Sequence, residues 1–213
     1  MKKPRVLLAD DHQIMLEGLK SLLGCEFEVV GSVEDGRALV EQAALLHPDV
    51  IVADISMPQL NGIEAARQIK KTDQNIKIVF LTMHLDATYA ANAFEAGASG
   101  FVLKHSAPSE LITAIQDVMK GQTYVTPLIA GELIRTYREG DLQKKDLVKK
   151  ISPRQREILQ LLAEGKSGKE IASILNISAR TVEFHKYRMM EQLNIRTSAE
   201  LVQYAVKHGI ISL

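Results

Sequence analysis

The sequence predicts an α/β chain: a doubly wound parallel sheet of five strands, followed by a second, smaller all-α domain. Three observations predict it. Short, nearly continuous apolar runs alternate with amphipathic stretches through residues 1–122. From Ser152 onward the apolar period is purely helical. Between the two patterns, residues 140–150 are polar and charged with little apolar periodicity, the composition of a linker. The expected organisation is therefore 1–122, a helix plus linker over 123–150, and a helical domain over 151–213.

The strands are expected at 5–9, 27–32, 50–53, 77–82 and 100–103. Most are apolar at every position rather than at alternate ones, as required when helices cover both faces of a sheet. Helices are expected at 13–23, 37–46, 62–71, 87–96 and 109–120. Gly24, Gly97 and Gly121 follow three of them, where a left-handed residue can close the turn. Five strand–helix units in succession give an open, mostly parallel sheet. A further helix is expected over 127–139, ahead of the linker.

The second domain has marked helix starts. Ser152-Pro153-Arg154-Gln155 places a capping serine, proline at the first helical position and glutamine at the third. Ser167 with Glu170 and Thr197 with Glu200 repeat that capping logic. The expected helices are 153–164, 168–175, 179–193 and 198–208, with only Asn176, Ile177 and Ser178 between the second and third. So short a turn suggests a helix-turn-helix.

Composition bounds the function. A chain of 213 residues with 46% hydrophobic content can bury a core in each half. Its one cysteine, Cys25, cannot form a disulfide within the chain. The apolar run Val6–Ala9 stops at Asp10-Asp11, too short for a secretion signal, and nothing approaches the roughly 18 consecutive apolar residues of a membrane span. A cytoplasmic protein without membrane contact is expected. The net charge of zero hides an asymmetry. Residues 1–120 carry 11 Lys+Arg against 16 Asp+Glu, and residues 121–213 carry 15 against 10. A basic second half can meet a polyanion, although small domains often carry a few charges of either sign.

In an open parallel sheet, chemistry collects at the carboxyl ends of the strands. Here those ends carry Asp10-Asp11, Asp54, Thr82 and Lys104. Three carboxylates in one crevice repel unless a cation intervenes. Oxygen donors of this kind suit Mg²⁺, and the lysine and hydroxyl can hold a phosphoryl group. Any single member has a plain alternative as a helix cap or solvated strand end; the set does not.

Asp10-Asp11, the segment from Asp54 through Met57-Pro58 and Asn61-Gly62, Thr82, Ala96-Gly97-Ala98-Ser99-Gly100-Phe101 and Lys104 together resemble the flavodoxin-like receiver domain of two-component response regulators. The resemblance implies that Asp54 accepts a phosphoryl group from a sensor histidine kinase. It also implies that Asp11, Asp54 and the backbone carbonyl of Ser56 hold Mg²⁺, with Asp10 acting through water. Thr82 and Phe101 would form the switch, the hydroxyl moving toward the phosphoryl group and the ring rotating inward. Lys104 would pair with the phosphoryl oxygens. His105 stands where many receivers have proline, often after a cis bond, so the geometry there is open. His84 is either a base that speeds phosphoryl hydrolysis or a loop histidine lining the site.

On the helix 179–193, Val182, Met189 and Leu193 form one stripe, while Arg180, Phe184, Tyr187, Arg188 and Glu191 lie opposite. An aromatic ring opposite a helix's own core can touch thymine methyls, with arginine and lysine on phosphate or guanine. Packing of Phe184 and Tyr187 against a neighbour is the alternative. Residues 151–213 further resemble the LuxR-type DNA-binding domain of the NarL/FixJ family. The resemblance rests on Ser152 through Leu159, Ala163-Glu164-Gly165, Lys169 through Ala172, Thr181 through His185, Leu193 through Thr197, Ala199-Glu200-Leu201 and His208-Gly209-Ile210. It implies contact with double-stranded promoter DNA through Lys169, Arg180, Thr181, Glu183, Phe184, Lys186, Tyr187 and Arg188. It also implies a homodimer on phosphorylation through the last helix. Gly168 stands where asparagine is common and Gln192 where lysine is common, the latter removing one phosphate contact.

Two rivals remain. A dedicated aspartyl-phosphate hydrolase lacks its second acid/base aspartate, since Ser56 stands two residues after Asp54. A phosphorylation-independent DNA-binding regulator would keep the receiver only for protein contacts. The expected function is a phosphorylation-controlled transcriptional regulator rather than an enzyme.

Overall fold

The computed structural model describes residues 3–106, 108–138 and 151–211. The charged stretch expected at 140–150 lies outside the described residues. The chain divides into two compact units, 1–139 and 140–213.

In the first unit the elements run β1 (Arg5–Ala9), α1 (Gln13–Leu23), β2 (Glu28–Val33), α2 (Gly36–Leu46), β3 (Val50–Ala53), α3 (Gly62–Thr72), β4 (Lys77–Thr82), α4 (Ala87–Glu95), β5 (Gly100–Leu103), α5 (Pro108–Met119), β6 (Tyr124–Val125) and α6 (Pro127–Arg138). All strand pairs are parallel, in the order β2-β1-β3-β4-β5-β6. The order reverses between β1 and β3, which opens a crevice at their carboxyl ends. β1, β3 and β5 are buried almost throughout, and one core beneath the sheet joins Val6, Leu8, Val52, Leu81 and Val102 to Leu16, Leu19, Leu111 and Ile115. Phe80 and Phe101 are fully buried in neighbouring strands and paired in register. Each such side chain stabilises the fold by about 1.5–3 kcal/mol.

The sequence expectation needs three corrections here. The sheet has six strands, because Tyr124-Val125 pairs with Gly100-Phe101; a two-residue strand is too short to show alternation. The helix expected ahead of the linker packs on α4 and so belongs to the first unit. Gly97 and Gly121 are left-handed, at φ 95° and 85°, but Gly24 has φ −59° and continues right-handed, its N–H reaching the Lys20 carbonyl.

The second unit contains α7 (Pro153–Ala163), α8 (Gly168–Leu175), α9 (Ala179–Leu193) and α10 (Ser198–Lys207). Ser152 with Gln155 and Ser167 with Glu170 close reciprocal capping boxes. The third start differs. Thr197 accepts from the Glu200 N–H, while Glu200 reaches back to the Arg196 N–H and the Thr197 hydroxyl. Asn176 and Asn194, both left-handed, end α8 and α9. Ile158, Leu161, Ile171, Leu175, Val182, Met189, Leu201 and Ala205 form the core. Among the described residues, no helix is long and apolar enough to cross a membrane.

Candidate phosphoryl-acceptor site and nucleic-acid interface

The sheet itself clamps the acidic cluster. The Asp10 N–H donates to Val33 O at 3.1 Å, the Asp54 N–H to Ala9 O at 2.8 Å, and the Lys104 N–H to Thr82 O at 2.8 Å. Each residue is the first after its strand, so the parallel ladder fixes its backbone before any side chain acts. Asp54 is 5% exposed and Asp10 1%. The Lys104 ammonium bridges them, 2.6 Å from Asp10 Oδ2 and 2.7 Å from Asp54 Oδ2. Burial alone would lower the Lys104 pKa; the hydrogen bonds to Asp10 and Asp54, with their charges, outweigh it and hold the ammonium above its usual value.

The β3–α3 loop shapes the other side. Asp54 Oδ1 accepts from the Ile55 N–H at 2.6 Å, and the Gly62 N–H donates to Ile55 O at 2.8 Å. A Cβ on Gly62 would lie 2.1 Å from the Asp54 carbonyl oxygen, so only glycine lets the loop close against Asp54. Asn61 caps α3 by accepting from the Glu64 N–H. Thr82, fully buried, accepts from the His84 N–H at 3.3 Å. Phe101 is fully buried. No peptide bond in the described chain is cis, which makes Lys104–His105 trans.

Three carboxylates gather here, and the Lys104 ammonium bridges only Asp10 and Asp54 among them. Asp10, Asp11 and His12 each present a donor atom within 4.8 Å of one another. Hard carboxylate oxygens in negative excess fit a divalent cation such as Mg²⁺. His12, which lies 2.8 Å from Asp11 Oδ1, is not a donor that such an ion prefers.

In the second unit, α9 buries Val182 and Met189, with Leu193 half-buried, and turns Phe184 (57% exposed) and Tyr187 (65%) outward. Arg180, Arg188 and Lys169 are exposed too. Three other expected DNA contacts are less available. Thr181 is half-buried and shares a 2.8 Å hydrogen bond with Ser178 in the helix cap. Glu183 and Lys186 are half-buried, 3.8 Å apart. A Cβ on Gly168 would sit 3.3 Å from Glu183 Oε1, so this carboxylate leans over the start of α8.

Known proteins share this arrangement. Residues 6–116 match the response regulator receiver domain, and residues 149–205 match the bacterial regulatory proteins of the luxR family. The transcriptional regulatory protein DegU of Brevibacillus brevis is 33% identical over 99% of this chain and 96% of its own length. The chain belongs to the NarL/FixJ family of response regulators. The response regulator UvrY of Escherichia coli K12 is 33% identical over 96% of this chain and 94% of its own. Among solved structures, RcsB of Salmonella typhimurium gives a TM-score of 0.65 at 29% identity, covering 98% of this chain and 99% of that one. RcsB of Salmonella enterica serovar Typhimurium bound to a promoter gives 0.60 at 31% identity, covering 95% and 98%.

Several contacts of this response regulator were not read from its sequence. His84 Nε2 lies 2.8 Å from Ser56 Oγ, and its ring stacks on Tyr89 with centroids 3.9 Å apart and planes at 6°. Burial lowers its pKa, opposed by Asp54 and Asp86. The histidine therefore lines the site and links two loops to α4. His12 joins the acidic pair, a position that its adjacency to Asp11 could have flagged. Gln192 accepts a 2.8 Å hydrogen bond from Gln155, so it ties α9 to the start of α7.

Proposed function

We propose that this response regulator takes a phosphoryl group onto Asp54 from a sensor histidine kinase and, so modified, binds promoter DNA as a homodimer. A cytoplasmic setting follows from the phosphodonor and the DNA. The observation that carries the reading is the Lys104 ammonium between Asp10 and Asp54 at 2.6 and 2.7 Å. In the transfer, an Asp54 carboxylate oxygen attacks phosphorus, the bond from phosphorus to the donor's imidazole nitrogen breaks, and that nitrogen keeps the electron pair.

In this reading Asp10, Asp11, Asp54 and the Ser56 carbonyl hold Mg²⁺, which when bound supplies positive charge to the phosphoryl oxygens. Lys104 leaves Asp54 to meet the added charge of about −1.5 to −2. The Thr82 hydroxyl gives up the His84 N–H and donates to the phosphoryl group instead. Phe101 completes the switch, its ring packed inward behind the Thr82 hydroxyl's new position. Both loops and α4 then feel the change through His84 and Tyr89. We assign the receiver, with β6 and α6, to residues 1–139, the linker to 140–150, and the DNA-binding domain to 151–213.

For the DNA-binding domain, α9 enters the major groove with Arg180, Phe184, Tyr187 and Arg188 foremost. Lys169 contacts phosphate, and Thr181, Glu183 and Lys186 act at the edge of the interface. The names of DegU and UvrY as regulators, and the DNA-bound RcsB, support this. The test is labelling by an acyl phosphate with Mg²⁺. The wild type should take up one phosphoryl group and Asp54→Ala none, with unchanged circular dichroism. Normal labelling of Asp54→Ala would overturn the assignment.

A further inference from the structure

We propose that Phe184 and Arg188 form a single reading unit, which selects a thymine and a guanine one or two base steps apart in each half-site. The proposal rests on α9 being the groove helix, and it adds what that helix reads.

The two side chains lie one helical turn apart on the face opposite Val182 and Met189. The Arg188 guanidinium carbon sits 5.9 Å from the Phe184 ring centroid, within cation–π range. The His185 ring also meets Phe184 edge-on, 5.7 Å away at 68°. A ring that is 57% exposed thus has two neighbours, Arg188 and His185. Two of the other arginines of this unit spend donors on protein, Arg154 on Glu157 and the Leu175 carbonyl, and Arg156 on the Ile151 carbonyl. Arg188 lays its guanidinium against an aromatic ring, which leaves the edge of its planar fork able to donate outward.

The bases distinguish themselves to such a pair. Only thymine offers a methyl group in the major groove, and only guanine offers two acceptors, O6 and N7, to a guanidinium fork. Bases along a strand are about 3.4 Å apart, so groups separated by 5.9 Å meet positions one or two steps apart. The stack also fixes the order of the two contacts, since the arginine cannot swing to the other side of the ring without losing it.

The test is selection from randomised duplexes by the acetyl-phosphate-treated full-length protein at fixed salt, followed by titrations on the enriched site. We expect enrichment of thymine within two steps of guanine. Replacing that thymine by deoxyuracil, which removes only the methyl, should weaken the wild type by about fourfold, the effect of one buried methyl group, and leave Phe184→Ala unaffected. Replacing the guanine by adenine should weaken the wild type about tenfold or more and leave Arg188→Ala nearly indifferent. Variants that weaken binding equally on every duplex would overturn the reading unit while leaving the groove helix standing. Absence of any enriched site with the wild type would overturn both.

Discussion

The acceptor site and the recognition helix solve opposite problems. In the first, Asp10, Asp54, Thr82 and Phe101 are all buried, and each is fixed by ladder bonds, ion pairs or packing. In the second, Arg180, Phe184, Tyr187 and Arg188 are exposed on one helix, with Arg188 over the Phe184 ring. A buried site must satisfy its own charges, so its chemistry is written into internal contacts. An exposed face leaves its chemistry to the partner. Substitutions in the receiver site should therefore change stability and phosphoryl chemistry together, whereas those on the helix face should change binding alone.

The comparison breaks first at Lys104. Lys104→Met leaves Asp10 and Asp54 buried without their shared ammonium; losing one partner of a buried pair costs about 3–5 kcal/mol. Urea melts of the first transition, run in chelator, should show that loss, and added Mg²⁺ should recover part of it. Undiminished stability in chelator would mean that the ion pair is not what balances the cluster.

Next comes Gly62. A methyl group there meets the Asp54 carbonyl at 2.1 Å, and overpacking of this kind costs about 1–3 kcal/mol. Gly62→Ala should also slow acyl-phosphate labelling, because the loop that positions Asp54 must shift. Labelling at the wild-type rate would separate the loop from the chemistry.

Acid sharpens the contrast from the other side. Burial, followed by Lys207, lowers the pKa of His208, which packs against Tyr204 at 4.2 Å. Unfolded, this histidine takes its proton near pH 6.5; folded, it resists until lower pH. Its contribution is thus complete above about pH 6.5 and is lost as pH falls through the folded value. Thermal melts of the second transition at pH 7.5 and 5.5 should differ, and His208→Gln should flatten the difference. An unchanged slope in the variant would assign the dependence elsewhere.

The smallest effect is at Tyr204. Its hydroxyl is buried with no hydrogen-bond partner among the described residues, and burial pushes its pKa up to about 12. Tyr204→Phe removes an unsatisfied polar group, so the melting temperature should hold or rise slightly. A clear fall would reveal a partner for the hydroxyl.

These two regions also differ in how far their residues could be read in advance. Strand ends bearing Asp10, Asp54, Thr82 and Lys104 follow directly from apolar runs, and a parallel sheet leaves them one place to meet. The bridging role of Lys104 could not be read, because a chain order does not say which carboxylates share a cation. Nor could the Ser56–His84–Tyr89 link, whose members come from two loops and from α4. In the second unit, the periodicity of α9 separated Phe184 from Val182. It could not show that Glu183 leans over Gly168 or that Gln192 spends its carbonyl on Gln155. Both depend on how α9 crosses its neighbours. The two-residue β6 was missed because pairing, and no local pattern, defines it.

The most direct measurement is one titration series on an enriched duplex at fixed salt, comparing wild type and Asp54→Asn, each with and without acetyl phosphate and Mg²⁺. Treatment should tighten binding by the wild type and leave Asp54→Asn where it began. Equal responses from both proteins, or none from the wild type, would contradict control of DNA binding through Asp54.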